Sequence, residues 1–295
     1  ITTGGDVAQT INMLFGNSSL HDHIELIDAE IPASLSGRFG GPRFGSAGLR
    51  ERLGVHDRPL TCAAIKPQGL SADRLAAVCE TFARGGIDVV KDDHGLADQS
   101  YSPFAERVRA CQRAVERVMR ETGRRILYAP SMVGAPRALA EQARIVRGEG
   151  VGMVLLAPAL VGMPVFHELV REHLEVPVLA HPAYAGAARV APPLLLGKLF
   201  RLLGADAVIY PNYGGRFTYP EALCRAIAAA ARGPLHDARP TLPVPAGGMT
   251  VERVPELVRF YGRDAMLLIG GSLLVADDLL ARTRAFTAAV AAGGR

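Results

Sequence analysis

Lysine is nearly missing from this chain: of 33 basic residues only Lys66, Lys91 and Lys198 are not arginine. A protein that writes its positive charge as arginine keeps lysine where a compact, deprotonatable amine is needed, although an arginine-rich genome accounts for the bias equally well. Cysteine is sparse too. Cys62, Cys79, Cys111 and Cys224 show no CxxC spacing and fall in apolar patterns, as reduced, buried thiols of a cytoplasmic protein do. No apolar run of about 18 residues and no secretory leader is present, so membrane insertion is not expected. Charge of one sign is nowhere concentrated. The 33 basic and 29 acidic residues are interspersed and sum to +4, which argues against a nucleic-acid partner and suits an anionic small molecule. The chain also begins at Ile1 without an initiator Met, and a preceding piece is expected.

With 295 residues and 49% hydrophobic content, one large domain, or one plus a fragment, is the natural division. Residues 1 to 57 read as a leading segment: a helix near Val7 to Phe15, then turns, then the glycine-rich GRFGGPRFGSAG. From Arg58 to the end, short apolar runs alternate with amphipathic stretches, the mark of repeated βα units. Eight strands are expected, at Leu60 to Ile65, Ile87 to Val90, Arg125 to Ala129, Gly152 to Leu156, Pro177 to Ala180, Asp206 to Tyr210, Leu242 to Pro245 and Ala265 to Ile269. Several intervening helices open on proline, which suits the first helical turn, and a last helix is expected from Ser272 to Ala291. Eight such units over residues 58–295 match a (β/α)8 TIM barrel. An open doubly wound sheet is the alternative, weakened because no GxGxxG follows the first strand.

The most informative stretch is GGIDVVKDDHG, Gly85 to Gly95. A β-branched run ends in Lys91, Asp92, Asp93 and His94, four ionisable residues that are costly to bury and so face either a cleft, as a metal or acid/base site, or solvent, as a helix-capping loop. In a barrel, chemistry gathers at strand C-termini, where this sequence also places Lys66, His181 and the segment Pro211 to Arg216. Gly247 and Gly248 follow the seventh strand and Gly270 and Gly271 the eighth. Paired glycines there form either tight turns or the fold's usual phosphate-binding corner.

GGPRFGSAGLRERLGVHDRPLTCAAIKPQGLS and GGIDVVKDDHG resemble the large subunit of ribulose-bisphosphate carboxylase, and more closely its RuBisCO-like proteins of form IV. The resemblance spans nearly the whole chain and implies an N-terminal α+β domain before the barrel, of which the leading segment is a remnant, and a homodimer with shared active sites. It places Lys91 on the lysine that takes up CO2 as a carbamate and binds Mg2+, and Asp93 on the next ligand. His94 stands where the family has a glutamate, a softer donor than Mg2+ prefers. Lys66 matches a lysine that moves protons at the reacting carbon, and His181 an active-site histidine. Asn17, in FGNSS, matches the asparagine at the end of the N-terminal part.

Gln68 replaces a second lysine that carboxylating members need. One phosphate site of those members falls on Pro182, Ile209 and Ala246 and is lost; the other falls on Gly247, Gly248, Gly270 and Gly271, with Arg216 in place of a mobile-loop lysine. Lys198, inside a helix, reads as structural. The resemblance therefore implies a phosphorylated small-molecule substrate with one phosphate and Mg-assisted enolisation or isomerisation of a ketose such as a methylthio-pentulose 1-phosphate, without CO2 fixation. Its alternatives are decarboxylation of an oxo-sugar-acid phosphate and a barrel that binds sugar phosphate without turnover.

Overall fold

The computed structural model describes residues 4–217 and 219–294. Eight parallel strands follow one another: β1 (Leu60–Ile65), β2 (Val89–Asp92), β3 (Leu127–Ala129), β4 (Val154–Leu156), β5 (Val178–Ala180), β6 (Ala207–Pro211), β7 (Leu242–Ala246) and β8 (Met266–Ile269). They form two ladders, β3-β2-β1-β8 and β4-β5-β6-β7. A parallel bridge between Ser131 and Leu155 joins the ladders at one seam, and β7 lies alongside β8 at the other. This is the expected barrel. Most strands start a residue or two later than their apolar runs suggest, because the first residues of those runs do other work; Asp88, for example, takes its side chain to Thr61 and Arg58.

Strand alternation sorts the core into two layers. Leu60, Cys62, Val89, Leu127, Leu155, Leu179, Ala207, Val244 and Met266 fill the barrel interior, while their neighbours Ala63, Val90, Tyr128, Val154, Ala180, Val208 and Leu267 pack under the surrounding helices. Because the side-chain period is two, the interior register carries on into the strand ends and decides which charged residues face the mouth.

Three helices of the surrounding ring depart from expectation. The stretch from Met163 is helical to Glu168 and then widens into a π turn over Leu169–His173, and the next one opens as a π turn over Pro193–Leu199 before Phe200–Leu202. The last helix is two helices, Gly271–Leu274 and Leu279–Gly293. Asp278 makes the break, its carboxylate accepting from the Ala281 N–H at 2.9 Å as an N-cap.

In the leading segment, helix Gly45–Leu53 closes the barrel floor. Leu49 and Leu53 sit among the interior side chains, and Asp206 holds the helix start by accepting from the N–H groups of Phe44 and Gly45 at 2.8 and 2.7 Å. Among the described residues no helix is long and apolar enough to cross a membrane.

Candidate active site

The register of β2 divides its charged run. Lys91 and Asp93 follow the inward-facing Val89, whereas Asp92 points outward. Asp92 accepts from Arg107 Nε and the Ser131 N–H, both at 3.0 Å, and from the Tyr128 hydroxyl at 2.7 Å, all fully or almost fully buried. It anchors the loop. Lys91 and Asp93 are left for the mouth.

The Lys91 amine is buried and donates to the Asp92 carbonyl at 2.7 Å. Burial, reinforced by the nearby Lys66 charge, pushes it below the usual lysine range against the pull of Cys62 and Asp93. Asp93 goes the other way. Burial favours its neutral form, but Lys66 Nζ lies 2.5 Å from Oδ2 and the Gly95 N–H 3.0 Å from Oδ1, and these hold the carboxyl well below its ordinary value. Gln68 Nε2 also donates to Oδ1, at 3.2 Å, so the residue that replaces a lysine supports the acid.

Two imidazoles complete this wall. His94 and His181 stack with ring centroids 4.4 Å apart and planes 10° from parallel, and His94 Nδ1 is 3.6 Å from Asp93 Oδ1. Burial, then the Lys91 charge, pushes His181 down to about 2, so its ring is neutral. The Ala183 N–H donates to His181 Nδ1 at 3.1 Å, which puts the ring proton on Nε2. His181 is thus a hydrogen-bond donor. Burial lowers His94 as well, though Asp93 opposes it.

These residues share a cavity of about 650 Å³ at the barrel mouth. Lys66, Lys91, Asp93, His94 and His181 line it, and so do Arg216, Gly247, Gly248, Gly270 and Gly271. Gly247 and Gly248 have φ of +87° and +74°, two left-handed residues in succession that glycine alone adopts cheaply. A Cβ on Gly248 would lie 2.7 Å from the Arg216 nitrogen and from Gly215 Cα, so the close approach of the two loops also requires glycine. Such a turn of consecutive backbone N–H groups suits an anion. At the ends of β5, β6 and β7 the lining is apolar instead: Pro182, Ile209 and Ala246.

Asn17 does not join this constellation within the chain. It lies exposed in the turn Asn17–Leu20, whose Ser19 carbonyl accepts from Arg189 beyond β5. Lys198 pairs with Asp28 of the leading segment at 2.6 Å, the structural role its helical position suggests. Tyr219, Met249, Thr250 and Ser272 line the cavity without having been singled out by the sequence; their position just past β6, β7 and β8 was the signal available.

The family model for the ribulose bisphosphate carboxylase large chain, catalytic domain, matches residues 45–276. The chain is 52% identical to 5-methylthioribulose-1-phosphate isomerase of Rhodospirillum rubrum, over 98% of this chain and 78% of that protein. It is 35% identical to 2,3-diketo-5-methylthiopentyl-1-phosphate enolase of Geobacillus thermodenitrificans, over 98% of this chain and 72% of that one. The crystal structure of a Rubisco-like protein from Rhodopseudomonas palustris superposes with a TM-score of 0.95 at 49% identity, covering 100% of this chain and 81% of that one.

Proposed function

The chain belongs to the ribulose bisphosphate carboxylase large-chain family, and from that premise we propose that it is a non-carboxylating, RuBisCO-like isomerase of a phosphorylated ketose such as 5-methylthioribulose 1-phosphate. The observation that carries the reading is the asymmetry of the cavity. Arg216 and the glycine pairs offer a place for one phosphate, while Pro182, Ile209 and Ala246 give the wall at β5, β6 and β7 an apolar surface. A second phosphate there would be desolvated without a counter-charge, whereas a methylthio tail loses nothing.

In this reading Arg216 and the N–H groups of Gly247, Gly248, Gly270 and Gly271 hold the phosphate and fix the ketose relative to β1, β2 and β5. Lys66, as the neutral amine, takes the proton from the carbon beside the ketone and gives it back from the resulting ammonium, whose charge Asp93 balances at 2.5 Å. His181 donates from Nε2 to the oxygen on which the enediolate charge collects, an interaction stronger in the transition state than in the substrate. Asn17, exposed on the leading segment, serves the site of a second copy in a homodimer.

Lys91 suits carbamate formation, since CO2 adds to a neutral amine and burial shifts this one toward neutrality. Among the described residues no group of three or more His, Cys, Asp or Glu side chains is arranged to hold a metal. A cation would therefore need the carbamate oxygens together with Asp93, hard donors that suit Mg2+, beside the His94 imidazole, which is softer than Mg2+ prefers. Held there, Mg2+ would supply Lewis-acid polarisation of the ketone and enediolate.

Calorimetry with 5-methylthioribulose 1-phosphate and ribulose 1,5-bisphosphate, followed by NMR of the products, tests the assignment. The monophosphate is expected to bind more tightly and to be isomerised. Tighter binding of the bisphosphate would remove the argument from cavity asymmetry.

A further inference from the structure

We propose that Arg253, which touches neither the cavity nor the reacting groups, is a positioning residue that sets Arg216 against the glycine corner. The inference rests on the reading of that corner as the phosphate site.

Arg253 ends the short turn Val251–Arg253 that follows β7 and its two glycines. Its Nη1 reaches across to the loop after β6, donating to the carbonyls of Tyr213 and Gly214 at 3.0 and 3.1 Å. Its Nε and Nη2 donate to Glu256 Oε2 and Oε1 at 3.2 and 2.9 Å. The Tyr213 hydroxyl donates to the same Oε1 at 2.6 Å, and the guanidinium lies 5.1 Å from the Tyr213 ring centroid. Arginine, glutamate and tyrosine thus close a ring of charge-assisted bonds around one turn, only 22% of the Arg253 side chain remaining exposed.

The turn they hold is the one that delivers Arg216. Gly214 has φ +61°, and a Cβ there would come within 3.1 Å of the Arg253 guanidinium, so the absent side chain admits the clamp. At the next residue a Cβ on Gly215 would fall 2.0 Å from the Gly247 carbonyl oxygen. The backbone of the β6 loop is therefore pressed onto the backbone of the β7 corner, immediately before Arg216. Arg216 rests its guanidinium on the Phe217 ring, 4.9 Å from the centroid. Its place relative to Gly247 and Gly248 follows from where the turn is pinned. One guanidinium thereby ties the cationic arm of the phosphate site to its backbone arm, and the site is assembled before the ligand arrives.

Preorganisation of this kind appears in affinity and not in the chemical step, because Lys66, Lys91, Asp93 and His181 stand at the ends of β1, β2 and β5. The experiment compares wild type with Arg253→Met, Arg253→Lys, Glu256→Gln and Arg216→Met. Inorganic phosphate binding is measured by calorimetry, and KM and kcat with 5-methylthioribulose 1-phosphate. Arg253→Met is expected to weaken phosphate binding and raise KM about tenfold, with kcat within about twofold, and Arg253→Lys to recover part of the loss. A merely structural arginine would lower the melting temperature and leave KM alone.

If Arg216→Met loses phosphate while Arg253→Met keeps wild-type affinity, the positioning role is wrong and the phosphate site stands. If wild type does not bind phosphate, or Arg216→Met binds it equally well, the phosphate reading falls and the positioning role with it. Should Arg253→Met fail to fold, unchanged KM and phosphate affinity in both Arg253→Lys and Glu256→Gln would overturn the proposal.

Discussion

Both ends of the barrel bury charge, and they treat it in opposite ways. At the floor, Asp88 accepts from both arms of the Arg58 guanidinium at 2.7 and 2.9 Å and from the Thr61 N–H and hydroxyl, each at 2.8 Å. Asp206 accepts from Phe44, Gly45 and Val178 N–H groups at 2.7 to 2.9 Å. Those carboxylates are saturated with partners from several segments and act as staples. At the mouth, the Lys91 amine has one carbonyl, Lys66 has Asp93, and two histidines lean on each other. Buried polar groups with unused hydrogen-bonding capacity are expensive, and they are kept where a ligand will use it.

Removing charge at the mouth should cost activity far more than stability. Asp93→Ala and Lys91→Ala are each expected to lower kcat/KM by about a thousandfold or more, while the melting temperature stays level or rises in Lys91→Ala, whose buried amine is pushed below its usual range, and falls slightly in Asp93→Ala, whose carboxylate the Lys66 amine and the Gly95 N–H stabilise. Severe destabilisation of either variant would mean that the mouth charges are staples too. At the floor the expectation reverses. Asp206→Ala leaves three N–H groups unpaired and should cost about 3 kcal/mol in denaturant unfolding, with KM of the folded enzyme unchanged.

A smaller effect should appear with pH. His181 is held neutral in the folded protein, its imidazole pushed to about 2, whereas in the unfolded chain it takes up a proton near 6.5. The unfolded state then binds more protons, so this residue makes stability fall as pH drops below about 6.5, by up to about 1.4 kcal/mol per pH unit until pH approaches the folded value. His181→Gln should unfold with a correspondingly shallower acid slope in urea titrations at pH 7 and pH 5. The mildest change is Ala246→Ser, which places a hydroxyl on the apolar wall; it should raise KM for the methylthio ketose about threefold and leave stability within error. An improved KM there would break the assignment of that wall to an apolar tail.

Much of this was legible in the sequence, for physical reasons that also mark where it stopped. Eight short apolar runs alternating with amphipathic stretches point to a barrel, because parallel strands buried on both faces leave little but a barrel or an open doubly wound sheet. Charged residues at strand ends therefore indicated the mouth, and Lys66, Lys91, Asp93, His94, His181, Arg216 and the paired glycines do meet in one cavity. The outward turn of Asp92 was recoverable from period two, carried past the end of β2. The clamp of Arg253 on Tyr213 and Gly214 was not, since it joins loops 39 and 40 residues apart through backbone carbonyls, which no side-chain pattern encodes. Nor was the break before Leu279 evident, where an aspartate cap overrides a continuous helical pattern.

In the proposed function the mouth is a proton-transfer site for a ketose with a single phosphate. Proton NMR of 5-methylthioribulose 1-phosphate in D2O, with Mg2+ and bicarbonate, tests it most directly. Deuterium at the carbon beside the ketone, appearance of an isomer, no release of CO2, and loss of all exchange in Asp93→Ala are expected. Exchange that survives Asp93→Ala, or CO2 released in place of exchange, would contradict it.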